Sequence, residues 1–218
     1  MAHNKLLSFS LSLLITVLAG VQPCAQAENI NSMTHYMING QAIEPWTLAV
    51  RGLKRKAVDV AENGEASTDD QEVVTRRVNG SNAQRDAVHF SLKSPQGKRS
   101  AILISGKSID LSSVVSQAAV ELNMRLITPP KSKDDSAVVI GCASGPECKA
   151  ELPVRGALRR LPKNRWIKFP LPLRCFEGEG MDFSQVNQIF ALESSGDLEL
   201  EIESVRLTAL GDQSIKCK

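Results

Sequence analysis

Leu198-Glu199-Leu200-Glu201-Ile202-Glu203 sets three aliphatic side chains against three carboxylates in strict alternation. A strand turns successive side chains to opposite faces and a helix does not. A period of two therefore puts the aliphatic residues on a core and the glutamates in water. Two further stretches read the same way: Val88, Phe90 and Leu92 alternate with His89, Ser91 and Lys93, and Val120, Leu122, Met124 and Leu126 with Glu121, Asn123 and Arg125. These are half-buried antiparallel strands. Shorter apolar runs, Ala101 to Ile104 and Ala137 to Ile140, predict more fully buried strands. Trp46, Leu48 and Val50 share one face where the folded body begins.

After Ile202 the apolar positions become Val205, Leu207 and Ala209, odd rather than even. A slip of one residue turns every later side chain to the other face, so a β-bulge or bend is expected near Glu203-Ser204, letting the strand switch faces or sheets. Turn compositions separate the strands: Ala61 to Glu72 with Asn63-Gly64, Asn79 to Asn82, Ser94-Pro95-Gln96-Gly97, and Pro129 to Asp135. Helical signal is thin, with one turn expected over Gly156 to Leu161 and another over Ser184 to Phe190. Nine or ten strands with almost no helix predict an all-β, antiparallel β-sandwich of jelly-roll type, placed at 46–218 behind an N-terminal arm at 28–45.

Ahead of the arm, Lys5 precedes an apolar run from Leu6 to Val21, and Ala25-Gln26-Ala27 closes it with small residues. A basic start, an apolar core and an A-x-A site predict a secretory signal peptide over 1–27. The run is short for a membrane anchor and lacks a basic stop-transfer flank. Gln22 and Pro23 before Cys24 argue against lipidation. Nothing after Val21 is apolar enough to span a bilayer. Cleavage removes Lys5 from 26 basic residues and none of the 24 acidic ones, taking the net charge from +2 to +1. So small a charge gives no pull toward nucleic acid. A periplasmic or secreted location follows.

Four cysteines remain: Cys142, Cys148, Cys175 and Cys217. In an exported chain an even count reads as two disulfides, with three connectivities open. The turn-forming Ala-Ser-Gly-Pro-Glu between Cys142 and Cys148 favours that pair and leaves Cys175 for Cys217. A zinc site is the competing use, but there is no C-x-x-C, and only His35 and His89 follow the expected cleavage site.

From Ser108 onward the chain resembles a known family. Ser108-Ile109-Asp110-Leu111 is followed by Ala119 to Ile127 and Pro129, then Gly141-Cys142 and Cys148. Arg165-Trp166-Ile167-Lys168-Phe169-Pro170-Leu171 leads to Leu173-Arg174-Cys175-Phe176. Gly180-Met181-Asp182-Phe183-Ser184-Gln185-Val186, Ala191-Leu192 and Gly196-Asp197-Leu198 close the match, and Trp46-Thr47-Leu48 fits its start. In this order and spacing they resemble the C-terminal galactose-binding-like (ExoP-type) domain of bacterial exo-β-glucosidases and glucan glucohydrolases of glycoside hydrolase family 3. The resemblance runs over roughly 46–210. It implies a β-sandwich that in those enzymes is an appendage to separate catalytic domains. Here the expected signal peptide leads almost directly into the sandwich, so the resemblance implies a free-standing accessory module and no glycosidase.

The residues themselves offer little catalytic chemistry. Glycoside hydrolysis needs two carboxylates converging across a sugar. Asp69/Asp70, Asp134/Asp135 and Glu177/Glu179 read as solvated loop acids. A Ser-His-acid triad would need His35 or His89, both expected at the surface. There is no phosphate-binding glycine loop and no cofactor motif. Sugar binding uses ring stacking and planar polar groups, and Trp46, Trp166 and Tyr36 are the chain's large amphipathic rings. Trp46 falls in phase with the core. Trp166 sits opposite the stripe of Ile167, Phe169, Leu171 and Leu173, on the side of Lys168. Trp166, Arg165 and Lys168 are therefore the candidate ligand-binding residues, for a poly- or oligosaccharide such as a β-glucan or an anionic glycan. Arg155, Arg159, Arg160, Lys163, Arg165 and Lys168 cluster within 14 positions. They read as a solvated face balanced by acids elsewhere, or as a patch for an anionic polysaccharide or protein. The expected function is an exported, non-catalytic carbohydrate-associated module. The alternative is a periplasmic structural or protein-interaction domain that keeps the fold without sugar binding.

Overall fold

In a computed structural model, residues 31, 33–54, 56–178, 180–210 and 217 are described. The expected signal peptide lies outside them, as does Glu179. Fourteen strands follow in order: β1 (His35–Ile38), β2 (Gln41–Ala42), β3 (Thr47–Arg51), β4 (Ala57–Asp59), β5 (Ala66–Ser67), β6 (Val73–Asn79), β7 (Asp86–Ser94), β8 (Ser100–Ile109), β9 (Ala118–Thr128), β10 (Ser136–Cys142), β11 (Lys149–Pro153), β12 (Trp166–Pro172), β13 (Val186–Ser194) and β14 (Gly196–Ala209). The four of two to four residues, β1, β2, β4 and β5, are too brief to leave a periodic signature, which is why alternation reveals only the longer ones. One helical turn, α1 (Arg155–Leu158), lies where it was expected.

The strands make two antiparallel sheets. An eight-stranded sheet runs β12-β9-β14-β7-β6-β5, with β1 on β14 and β2 on β1; a six-stranded sheet runs β11-β10-β13-β8-β3-β4. Their inner faces supply one core, in which Phe90, Leu122, Met124, Leu200 and Ile202 of the larger sheet join Leu48, Val50, Ile102, Ile104, Val138, Ile140 and Phe190 of the smaller. This is a β-sandwich, two faces sharing one apolar layer.

The phase change in β14 is a bulge. Ile202 pairs with Met124 and Ser204 with Asn123, leaving Glu203 between them. The strand stays in its sheet and keeps β9 as neighbour throughout. What changes is the partner on its other side: β7 as far as Ile202↔Val88, then β1 at Val205 and Arg206.

Three expectations need amending. The stretch 28–45 carries β1 and β2 from His35 onward, and Tyr36 and Met37 are fully buried. Tyr36 packs edge-on against Trp46, with ring centroids 4.9 Å apart. The helical turn expected over Ser184 to Phe190 is a 3₁₀ turn at Phe183–Gln185, after which β13 begins. His89, expected on a solvated face, has a side chain only 12% exposed.

Both expected disulfides form, Cys142–Cys148 and Cys175–Cys217. They consume the thiolates a zinc site would need, and among the described residues no metal-binding cluster of His, Cys, Asp or Glu occurs.

Candidate functional site, a groove on the six-stranded sheet

Three rungs cross the outer face of the six-stranded sheet. The first carries Arg51, Ala101, Glu193, Ala137 and Pro153, the second Asp59, Ala49, Leu103, Ala191, Val139 and Glu151, and the third Thr47, Ser105, Gln188, Gly141 and Lys149. Directly opposed residues point to the same side. The middle of the face is thus small and apolar, with Ala49, Ala101, Leu103, Val139 and Ala191 forming a second buried cluster apart from the core. Short side chains there sink the surface, and polar groups stand at either end. The result is a groove of about 800 Å³.

One end is built from ion pairs. Arg51 Nη2 donates to Glu193 Oε1 at 2.5 Å, Arg99 Nη1 lies 2.9 Å from Glu151 Oε1, and Arg99 Nε donates to Asp135 Oδ2 at 3.0 Å. These groups hold one another. Asp135, one of the acids read as a solvated loop residue, belongs to this network. Its neighbour Asp134 is buried and accepts the Lys131 N–H at 2.6 Å.

The β7–β8 turn adjoins this end: Gly97 at a φ of +80° turns the chain so that Lys98 N donates back to Pro95 O at 3.1 Å, a turn that needs glycine at its left-handed position. The other end is different in kind. There the disulfide-closed hairpin Cys142–Cys148 forms a wall, with Cys142 N donating to Cys148 O at 2.8 Å. Beside it lie Asn187 and Gln188, half-buried, and neither side-chain amide has a hydrogen-bond partner among the described residues. Lys98 and Lys149, also lining the groove, have no carboxylate partner among the described residues.

The amide pair owes its position to two irregularities in β13. Register shifts fall between Val186 and Gln188 and between Gln188 and Phe190. Each bulge breaks the alternation. Asn187 and Gln188 both line the groove as consecutive residues, while Val186, Ile189 and Phe190 enter the core. Gly141 makes the room: a Cβ there would meet Gln188 Cβ at 3.3 Å.

The arrangement suits an uncharged, hydroxyl-rich ligand. An apolar floor takes the carbon face of such a ligand, and planar amides each offer a donor and an acceptor at the rim. Among the described residues no aromatic ring lines the groove, so recognition there rests on hydrogen bonds rather than on stacking.

Trp166, Arg165 and Lys168 lie elsewhere, at β12 on the edge of the larger sheet. Arg165 and Lys168 are exposed, and Trp166 is half-buried with Arg125 Cζ 5.2 Å from its ring centroid. The groove residues were missed because amides carry no periodic signal. A signal did exist in the other phase of the buried strands: where Ile102, Ile104, Val138 and Ile140 face inward, their outward neighbours Ala101, Leu103, Ala137 and Val139 are small or apolar instead of charged. A sheet face that could be solvated but is lined with alanine marks a concavity or a covered surface.

The outer face of the larger sheet is built from groups that pair with one another. Trp166, Arg125, Glu201, His89 and Arg76 stand on one rung. Arg125 Nε donates to Glu201 Oε2 at 2.5 Å, and His89 Nδ1 lies 3.6 Å from Glu201 Oε1. Burial, and then the Arg76 charge, push the His89 pKa down. Beside it the buried Glu203 accepts from Ser81 N at 2.5 Å, Asn123 Nδ2 at 2.9 Å and Arg85 Nη1 at 3.0 Å. Burial acts to raise the Glu203 pKa, but these donors outweigh it and hold the carboxyl below its usual range.

The family model described as galactose-binding domain-like, Exop_C, matches residues 44–207. The exo-1,3/1,4-β-glucanase EXOP from a Pseudoalteromonas species is 21% identical with a TM-score of 0.64, covering 84% of this chain and 21% of that one. The chain therefore spans about a fifth of that enzyme. The extra C-terminal domain of the same glucanase, taken alone, is 20% identical with a TM-score of 0.63 and 96% of it covered. The family 30 carbohydrate-binding module of a Clostridium thermocellum cellulosomal cellulase is 11% identical with a TM-score of 0.54, covering 82% of this chain and 98% of the module. At these identities the likeness establishes a shared fold. Among curated proteins, none matches the chain.

Proposed function

The chain belongs to the galactose-binding domain-like Exop_C family, and from that premise we propose that it is an exported, non-catalytic carbohydrate-binding module whose ligand lies in the groove of the six-stranded sheet. The observation that carries this reading is the amide pair of Asn187 and Gln188, whose side chains have no hydrogen-bond partner among the described residues, at the end of a concave groove of about 800 Å³. Half-buried amides without protein partners await a ligand or water, and a hydroxyl-rich ligand answers them better than an apolar one.

A β-glucan is the ligand class we favour. Support comes from the glucanase whose appended domain shares this fold and from the cellulase module beside it. The two disulfides support folding in an oxidising compartment, periplasmic or extracellular. Asp134 and Asp135, tied into loop and ion-pair contacts, support a role without chemistry of its own.

Titration of the purified protein with a glycan panel that includes mixed-linkage β-glucan tests the reading. Binding is expected, and Asn187→Ala and Gln188→Ala are each expected to weaken it about tenfold by removing one to two hydrogen bonds, with Tm unchanged. Trp166→Ala is expected to leave it intact. A folded protein that binds nothing on the panel would overturn the proposal and put the protein-docking alternative in front.

A further inference from the structure

The longest run of unpaired charge lies where the chain crosses between the sheets. β11 is the edge of the six-stranded sheet and β12 the edge of the eight-stranded one, and residues 154–165 join them across one side of the sandwich. Arg155, Arg159, Arg160, Lys163, Arg165 and Lys168 fall on this crossing and the strand it enters, with no acid from 155 to 168. All six are exposed, and among the described residues none takes part in a salt bridge, although Arg155 Nη1 donates to Asp134 O at 3.1 Å. Six arginines elsewhere, Arg51, Arg77, Arg85, Arg99, Arg125 and Arg206, each face a carboxylate, while Arg76 faces none among the described residues.

The crossing is held in place. Buried Leu158 anchors α1, Lys163 bridges to Leu126, and Asn164 N donates to Leu126 O at 2.8 Å. Trp166 follows opposite Arg125. On the far side, the crossing from β4 to β5 and its neighbours mix Asp59, Glu62, Glu65, Asp69, Asp70 and Glu72 with Lys54 and Lys56, and Lys54 pairs with Asp70.

We propose that the β11–α1–β12 edge is a second, separate binding surface, for an acidic polysaccharide bearing carboxylate or sulfate groups. Four of its six cations are arginines, whose planar fork grips an oxyanion through two parallel hydrogen bonds. Half-buried Trp166 lies in the chain between Arg165 and Lys168, with Arg125 Cζ 5.2 Å from its ring centroid, so the charged edge carries an aromatic ring that a sugar can use and a bare polyanion does not. Pro170 and Pro172 lie on the edge strand and remove two donors, so the edge is poorly suited to adding a peptide strand. The surface goes beyond the reading of the groove and stands or falls without it.

Binding of the full chain to immobilised polygalacturonate and to dextran sulfate, with neutral dextran as control, tests the proposal. Binding is expected at low ionic strength, weakening steadily with salt. The triple variant Arg159→Ser, Arg160→Ser, Arg165→Ser is expected to lose about tenfold or more, from exposed pairs each contributing modestly. Trp166→Ala is expected to weaken polygalacturonate binding while sparing that of polyglutamate, and Gln188→Ala to change neither. No binding by the folded protein, or binding untouched by the triple variant, would overturn the proposal. So would equal affinity for polyglutamate and for anionic vesicles with no dependence on Trp166, which would mean unspecific anion adsorption. Self-association at low salt that the triple variant abolishes would instead assign the edge to a second copy.

Discussion

The outer faces of the two sheets use the same residue types to opposite ends. On the larger sheet, Arg125 and Glu201 are paired, Glu121 holds Arg206, and Glu203 draws Ser81, Arg85 and Asn123 to itself. On the smaller sheet, Asn187 and Gln188 line a groove beside Val139 and Gly141, and their side-chain amides have no hydrogen-bond partner among the described residues. Glu201 and Glu203 are buried, whereas the two amides are half-buried and open to the groove. What separates them is satisfaction: a face whose polar groups are spent on one another maintains the fold, and one whose polar groups are left open has something to offer a ligand.

The comparison is most easily broken at Glu203. Glu203→Ala leaves Asn123 and Ser81 N without their acceptor inside the sheet, and should cost about 3 kcal/mol in denaturant unfolding. It should leave glycan binding by the groove intact in protein that remains folded. Acid should mimic it in part. Because the Glu203 pKa is depressed in the folded protein, its contribution is fully present above the ordinary carboxylate range and is lost as pH falls through the lowered value. A loss of groove binding in proportion to stability would show that the two faces are one system.

A second test sharpens the contrast from the groove side. Replacing Cys142 and Cys148 together with serine opens the hairpin wall, and should cost about 2.4 kcal/mol on a chain-entropy basis. Unlike Glu203→Ala, it should also weaken groove binding, since the wall lines the site. Next in size is the double variant Asn187→Ala with Gln188→Ala, expected to abolish detectable glycan binding while moving Tm by no more than surface substitutions do. A fall in Tm of several degrees would mean that the amides belong to the fold after all.

The smallest effect is expected at His89. Its pKa is lowered by burial and by Arg76, so the unfolded chain takes up its proton first. Stability should therefore decline as pH falls from the ordinary histidine range through the lowered value. His89→Gln should flatten that part of the stability curve and leave groove binding unchanged at neutral pH.

The sandwich was legible because its long strands obey strict alternation. Even the bulge at Glu203 could be read, since the apolar phase slips there by one residue. Both disulfides followed from four cysteines and one obvious turn. The groove was not legible, and β13 explains why. Val186, Ile189 and Phe190 are spaced three and four apart because two bulges interrupt the pleat, and that spacing imitates a helical stripe. The same bulges put two neighbouring amides on one side of a strand, which alternation forbids. Composition makes a rare ring such as Trp166 conspicuous and leaves small apolar outward residues silent. Whether an outward alanine is solvated or sunk depends on its neighbours across the sheet, and those are set by register.

The bulge in β14 has a consequence for how the molecule comes into being. Because β14 takes β7 on one stretch and β1 on the next, the first hairpin of the sandwich, β1 with β2, joins the sheet through the last strand. A chain delivered amino end first, at a ribosome or through a membrane pore, holds Tyr36 and Met37 without their site until Val205 and Arg206 have emerged. The most distant ends must meet before the larger sheet is whole, so closure is late, slow and all at once.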